Sequence, residues 1–423
     1  MEGVLLSPRP CSLLMTQRIG RRLVKVCNDS RFSAHLSRQI AWRLVSIDTL
    51  IRAMKALAIL AFALAPVLSA QIVYVGAYTN PGGAKGINAF RFDSATGKLT
   101  SLGLMAETTS PSFLAIAPNG KFLYAVNETD TFQGQKGGAV SAFSIDRATG
   151  KLTFLNQVAS KGAAPCHIAI DPTGKAALVA NYNSGNFSSF PIHADGRIGE
   201  AASVMQDTGS GPNRARQAEP HAHEMVIADK VVLGADLGTD HIQLFHLDAA
   251  KGTLSPADPP FAATAPGFGP RHMALSHDKK FLFVVSEIKG EVETLAYDPA
   301  KGPGKILSTV AGLPADFKGQ NTAAEIMLNA KGTTLYTSNR GHNSIAVFSV
   351  DTKTGALKLT ANVPTGGKNP RYFTLDPSGK FMLVCNQDSN NIVIYKVDQN
   401  TGALTATGDT VSSGAPVDLA FLK

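Results

Sequence analysis

The chain has 423 residues with 40 basic and 32 acidic side chains, a formal charge of +8. Residues 1–55 hold eight arginines and two lysines against Glu2, Asp29 and Asp48, so 71–423 is close to neutral and a nucleic-acid partner is excluded on electrostatic grounds. Gly and Pro, 39 and 23 residues, are too few and too evenly scattered for a disordered or collagen-like chain, and 44% apolar residues can bury a large core.

Residues 1–53 read as a leader outside the fold, with Met54 expected to be the true start. Lys55 precedes an uncharged apolar run, 56–68, that exits through Ser69 and Ala70. A basic residue, an apolar stretch and small residues in that order predict a secretory signal peptide over 54–70. Its thirteen apolar residues are too few for a bilayer, which needs about 20, so no integral membrane span is expected. The protein is therefore expected to be exported, periplasmic or extracellular. Cys11 and Cys27 fall in the leader; Cys166 and Cys385, far apart in sequence, predict two separate buried thiols rather than a disulfide framework.

From residue 71 onward one unit repeats. Asp93-Ser-Ala-Thr-Gly-Lys-Leu99 returns as Asp146-Arg-Ala-Thr-Gly-Lys-Leu152, Asp248-Ala-Ala-Lys-Gly-Thr-Leu254, Asp351-Thr-Lys-Thr-Gly-Ala-Leu357 and Asp398-Gln-Asn-Thr-Gly-Ala-Leu404, with degenerate copies at Asp195 and Asp298. Asp can open such a turn through a side-chain bond to the backbone, and Gly supplies positive φ before the next strand. A second block, Pro-x-x-apolar-x-apolar followed by Asp-Pro-x-Gly-Lys and an apolar strand ending in Asn, occurs at Pro165 to Asn181 and Pro370 to Asn386. Seven units of four short strands, spaced 47 to 53 residues apart, predict an all-β, seven-bladed β-propeller of four-stranded antiparallel blades. The chain ends on a first strand, Pro416 to Leu422, and begins on a second, Ile72 to Val75, so the last blade is expected to close from both termini.

Several blocks then carry a family likeness. Pro165-Cys-His167, Ala180-Asn-Tyr-Asn-Ser-Gly185, Pro220-His-Ala-His223, Asp236-Leu-Gly-Thr-Asp240, Gly269-Pro-Arg-His272, Ala324-Glu-Ile326 and Ser338-Asn-Arg-Gly-His342 together resemble the seven-bladed propeller lactonase family. That family includes the bacterial propeller-type 6-phosphogluconolactonases and the fungal carboxy-muconate lactonizing enzymes. The likeness spans essentially all of 71–423 as one domain. It implies a hydrolase that opens a sugar-acid lactone, 6-phosphogluconolactone by analogy, with one water and no cofactor. A monomer acting on a small-molecule lactone is expected. The alternatives are an exported propeller that binds a ligand without chemistry, and a muconate-type lactone cyclase using the same residues in reverse.

Aligned by their turns, the first strands give one column: Phe113, His167, His223, His272, Glu325, Tyr372 and Asp418. The column before it reads Ser112, Cys166, Ala222, Arg271, Ala324, Arg371 and Val417. First strands line a propeller's channel, so these positions should meet at one mouth, with His221 and Arg340 at its rim. Such a ring suits lactone hydrolysis: a base near the working pH, fixed donors for a developing oxyanion, and planar arginine forks for an anionic group. His167 or Glu325 is the expected base, with Arg271 as the third catalytic residue. His221, His223, His272, Arg340 and Arg371 are expected to bind substrate.

Other chemistries are poorly supported. Strand alternation would set Cys166 and His167 on opposite faces, against a thiol nucleophile. No Gly-x-Ser-x-Gly elbow occurs, and Gly-Ser-Gly211 lacks the third glycine of a dinucleotide loop. A zinc on His167, His223 and His272 would keep an open position, but the three come from separate blades and no Cys pair supports them, so no metal is expected. The loop from Gly209 to Gln217, carrying Arg214 and Arg216, reads as a solvated loop or a lid.

Overall fold

The computed structural model describes residues 71–79 and 83–422. The expected leader, 1–53, and signal peptide, 54–70, lie outside the described residues.

Each Asp-x-x-x-Gly turn forms as its chemistry requires. The Asp93 carboxylate accepts the Ala95 N–H at 2.8 Å, and the Gly97 N–H donates to the Asp93 carbonyl at 2.7 Å. Gly97 adopts φ 82°, a conformation costly for any residue with a Cβ. Asp146, Asp248, Asp298, Asp351 and Asp398 repeat the carboxylate bond to the second residue onward. In each blade this turn joins the third strand to the fourth.

Among the described residues the strands assemble into seven four-stranded antiparallel sheets, with one further short hairpin, Thr131–Phe132 with Gln135–Lys136. The innermost strands of blades 1 to 7 are Leu114–Ile116, Pro165–Ile170, Ala222–Ala228, Pro270–Leu275, Ala323–Leu328, Pro370–Leu375 and Pro416–Phe421. Blade 7 closes as expected: the C-terminal strand pairs with Gln71–Ala77, Tyr74 opposite Ala420 and Val75 opposite Leu419.

Second strands are apolar on both faces because each blade is a wedge between two others. In Gln71–Ala77, Val73 and Val75 pack with Phe381, Leu383 and Cys385 of blade 6, while Tyr74 packs with Leu123 and Phe143 of blade 1. Each such side chain, fully buried, contributes about 1.5–3 kcal/mol. A repeated polar latch adds direction. The hydroxyls of Tyr74, Tyr124 and Tyr336 donate to the carbonyls of Gly150, Gly196 and Gly402 in the turn of the next blade, at 2.9, 3.0 and 2.7 Å. Cys166 and Cys385 are separate, buried free thiols.

One irregularity shapes the channel. Pro165 pairs with Asn181 but His167 pairs with Ala180, so Cys166 is an extra residue, a β-bulge. The same slip falls between Ala222 and Glu224, Pro270 and His272, Ala323 and Ile326, and Pro370 and Tyr372. Blade 7 has it too, opposite Gly76 and Ala77.

Candidate active site

In the six bulged inner strands two consecutive side chains turn toward the axis, and in blade 1 Ser112 and Phe113, just before the inner strand, line the same pocket, so two stacked layers form. The upper layer holds Ser112, Cys166, His223, Arg271, Ala324, Arg371 and Val417. The lower holds Phe113, His167, Glu224, His272, Glu325, Tyr372 and Asp418. This corrects the turn-based alignment in blade 3. Ala222, not His221, occupies the place of Pro165, so His223 belongs to the upper layer and Glu224 to the lower. It also corrects the expectation that Cys166 and His167 face opposite ways: Cys166 lines the mouth, and the His167 ring meets Phe113 and His272 across the channel at 4.3 and 5.7 Å.

Above these layers runs a rim from the residue that follows each second strand: Tyr78, Glu128, Tyr182, Leu237, Glu287, Arg340 and Gln387. Its backbone N–H groups donate to the carbonyl that precedes each inner strand, such as Glu128 to Ser110 at 3.0 Å, Glu287 to Gly269 at 3.0 Å and Arg340 to Thr322 at 2.9 Å. Sequence reasoning saw only Arg340 of this set. Reading that position as a column would have found Glu287 and Glu128.

Glu287 is the hub. Its Oε2 accepts Arg271 Nε and Arg340 Nη2, each at 2.9 Å, and its Oε1 accepts Arg216 Nη2. Burial alone would raise its pKa, but the Arg340, Arg271 and Arg216 guanidiniums outweigh burial and hold it well below the usual carboxylate range. Arg271, 2% exposed, also donates Nη1 to the Ala324 carbonyl at 2.6 Å. Burial, followed by Arg340, draws its pKa down to about 10, so it stays charged at neutral pH. Arg371 lies against the Tyr78 ring, 5.3 Å from its centre, with Nη2 3.7 Å from Glu128 Oε2; the Tyr78 hydroxyl donates to Glu128 Oε1 at 2.9 Å.

Burial and the nearby arginines keep the channel imidazoles neutral. Burial, then Arg271, pushes His223 and His272 well below the ordinary histidine value; burial, then His272, does so for His167. Their nitrogens differ in availability. His167 Nδ1 accepts the Met225 N–H at 3.4 Å, which puts its proton on Nε2, 3.9 Å from Glu224. His272 Nδ1 is bonded to Glu325 Oε2 at 2.9 Å, while its Nε2 is buried with no partner among the described residues. His223 Nδ1 is likewise unpartnered, and its ring meets that of His272 at 5.1 Å.

The lower carboxyls are all raised by burial. Glu325 reaches about 8 and Asp418 about 8; Glu224, with the Glu325 carboxyl nearby as the second cause, also moves well above the usual range. Glu224 and Asp418 each accept an inner-strand N–H from the next blade, from Met273 and Leu114, both at 2.7 Å. They tie blades together, a role the sequence did not reveal.

The pocket between these groups is lined by Ser112, Phe113, Cys166, His223, Arg271, His272, Arg371, Tyr372 and Val417. The structure thus brings Arg271, Arg371, His223 and His272 to one pocket, with Arg340 on the rim and His167 and Glu325 in the ring of inner strands. His221 stands outside its strand, stacked on Tyr182 at 4.6 Å with Nδ1 3.1 Å from the Tyr182 carbonyl. Burial pushes the Cys166 thiol up, away from the thiolate. Among the described residues no group of three His, Cys, Asp or Glu converges closely enough to hold a metal ion.

A seven-bladed propeller with an arginine- and histidine-lined mouth defines a class, and the chain belongs to it: residues 72–421 match the family described as Lactonase, 7-bladed beta-propeller. Among relatives, the chain is 36% identical over 316 residues to the 6-phosphogluconolactonase of Bacillus subtilis, covering 74% of this chain and 87% of that protein. It is 37% identical over 318 residues to the 6-phosphogluconolactonase of Formosa agariphila, covering 73% and 87%. Among solved structures, the periplasmic gluconolactonase of Pseudomonas aeruginosa superposes with a TM-score of 0.77 at 31% identity, over 83% of this chain and 98% of that one.

Proposed function

We propose that this chain opens a sugar-acid lactone of the 6-phosphogluconolactone type by attack of one water. The observation that supports this best is the pair of buried, unpartnered ring nitrogens, His272 Nε2 and His223 Nδ1, on two histidines that line one pocket with Arg271 and Arg371. A nucleophilic water between them gives its proton to His272 Nε2, and the imidazolium is stabilised by Glu325 on Nδ1, 2.9 Å away. His223 orients the water. Arg271 uses Nε and Nη1 on Glu287 and Ala324, leaving Nη2 for the carbonyl oxygen as it gains charge. Arg371 holds the substrate's anionic group beside it. When the tetrahedral intermediate collapses, the ring C–O bond breaks and the departing oxygen takes the proton back from His272. Lactone and water become a hydroxy acid, and the imidazole is regenerated.

This assigns the base to His272 with Glu325 behind it. His167 becomes a positioning residue, because its Nδ1 is held by the Met225 N–H. Replacing His272 by alanine should lower kcat about 10²- to 10⁴-fold while the β-rich fold is kept. A His272→Ala rate within a factor of three of wild type overturns the assignment.

Export is the second part of the proposal. It rests on the 54–70 pattern and on the likeness to a protein named as periplasmic. N-terminal sequencing of the mature protein tests it: a chain beginning near residue 71 supports export, and an intact 54–70 segment rejects it.

A further inference from the structure

Arg216 reaches the mouth from the loop between blades 2 and 3, not from a propeller strand. Its loop is a fixed platform. Gln217, fully buried, donates Nε2 to the Leu237 carbonyl at 2.9 Å and to Asp240 at 2.6 Å, and its Oε1 accepts the Asn213 N–H at 3.1 Å. The Gly211 and Gln217 N–H groups close the loop onto Gln217 and Asn213 carbonyls at 2.9 and 2.7 Å. Arg214, two residues earlier, is exposed, whereas Arg216 turns inward.

Three guanidiniums share Glu287, but their surroundings differ. The Arg271 and Arg340 side chains are 2% and 14% exposed, and both also bind backbone carbonyls. Arg216 is 32% exposed and uses only Nη2, on Glu287 and on the Tyr182 hydroxyl at 3.2 Å. Its Nε and Nη1 have no partner among the described residues. The mouth holds Arg216, Arg271, Arg340 and Arg371 against two carboxylates, Glu128 and Glu287, with His223 neutral, an excess of two positive charges. Arg271 and Arg371 line the pocket; of the other two, Arg216 is the more exposed, 32% against 14% for Arg340, and it alone keeps both Nε and Nη1 without a partner among the described residues.

We propose that Arg216 is a specificity residue: its free edge joins Arg371 in binding the substrate's phosphate-type anionic group. The proposal rests on the lactonase reading and adds which residue selects a phosphorylated lactone over an uncharged one. A planar fork fits a phosphate better than a point charge does. The bond to Glu287 keeps that fork aimed before substrate arrives, so little ordering entropy is lost on binding.

The test uses the full chain as wild type, Arg216→Ala, Arg216→Lys and Arg214→Ala. Inorganic phosphate is titrated calorimetrically at low salt, and kcat and KM are measured for 6-phosphogluconolactone and unphosphorylated gluconolactone. Loss of one charge-assisted contact predicts about 10- to 100-fold weaker phosphate binding in Arg216→Ala, and a KM increase of similar size for the phosphorylated lactone. The preference for phosphorylated over unphosphorylated substrate should narrow by the same factor. Arg216→Lys should recover part of it, and Arg214→Ala should match wild type. Equal kcat losses on both lactones would mean that Arg216 only holds Glu287 in place, which overturns the proposal, as would unchanged phosphate binding. If wild type opens neither lactone, the phosphate titration decides alone. Weaker binding in Arg216→Ala then keeps the anion site and removes the lactonase reading; equal binding removes both.

Discussion

Replacing Glu287 by glutamine removes the one negative charge that three guanidiniums share, without changing the shape of the side chain. Two of its ion pairs, to Arg271 and Arg340, have N–O distances of 2.9 Å at side chains 2% and 14% exposed, where solvent screens little. Breaking one partner out of such a buried set costs about 3–5 kcal/mol. The Arg216 pair adds less, since its side chain is 32% exposed. For a domain this large, a loss near the low end lowers Tm by roughly 5 °C. Catalysis should suffer more: Arg271 loses the partner on Nε, and misaiming one oxyanion donor costs about 10²–10³ in kcat. The pH dependence carries a sign. The folded pKa of Glu287 lies below its unfolded value, so its contribution is fully present above about pH 4.3 and fades as pH falls toward the folded value. Wild type should therefore lose stability below pH 4 more steeply than the variant. Thermal melts from pH 3 to 7, with kinetics at neutral pH, check both parts. A Glu287→Gln protein with wild-type Tm and wild-type turnover would refute the hub.

Two other outcomes follow from the lower layer and from the blade contacts. Burial raises Glu325 to about 8, and His272 Nε2 is a free base only when Glu325 is ionised and the shared proton sits on Nδ1. Turnover should thus rise as pH passes through about 8, and a pH–rate series of Glu325→Gln should lose that rise; an unchanged profile would count against the pair. Tyr74→Phe removes the bond to the Gly150 carbonyl and leaves that acceptor buried, so urea melts should show a loss of about 1–3 kcal/mol with activity unaltered. No loss would show that the latch between blades 7 and 1 contributes nothing to stability.

The propeller was legible in sequence because its signals are local. Asp93, Gly97 and their copies act within one turn, and the period of these turns counts the blades. The closing strand was legible because a unit split between the termini leaves recognisable halves. The site was only half legible. A β-bulge leaves no residue signature, so the alignment slipped by one in blade 3, where Ala222 stands in the place that Pro165, Pro270 and Pro370 mark elsewhere. Strict alternation then misdirected Cys166, because at a bulge consecutive side chains share a face. Glu287 and Glu128 lie one residue past a strand, in segments that read as ordinary loops. Only the ring closure brings Glu287 against arginines 53 and 71 residues away in sequence, Arg340 and Arg216.

The central claim is that this mouth opens a lactone with water. Its most direct measurement is acid release by the purified protein from 6-phosphogluconolactone and a panel of unphosphorylated aldonolactones, beside Arg271→Ala and with and without EDTA. The account predicts that at least one lactone opens faster than its spontaneous rate, that EDTA leaves the rate unchanged, and that Arg271→Ala removes the acceleration. No acceleration of any lactone, or an Arg271→Ala rate equal to wild type, would contradict it.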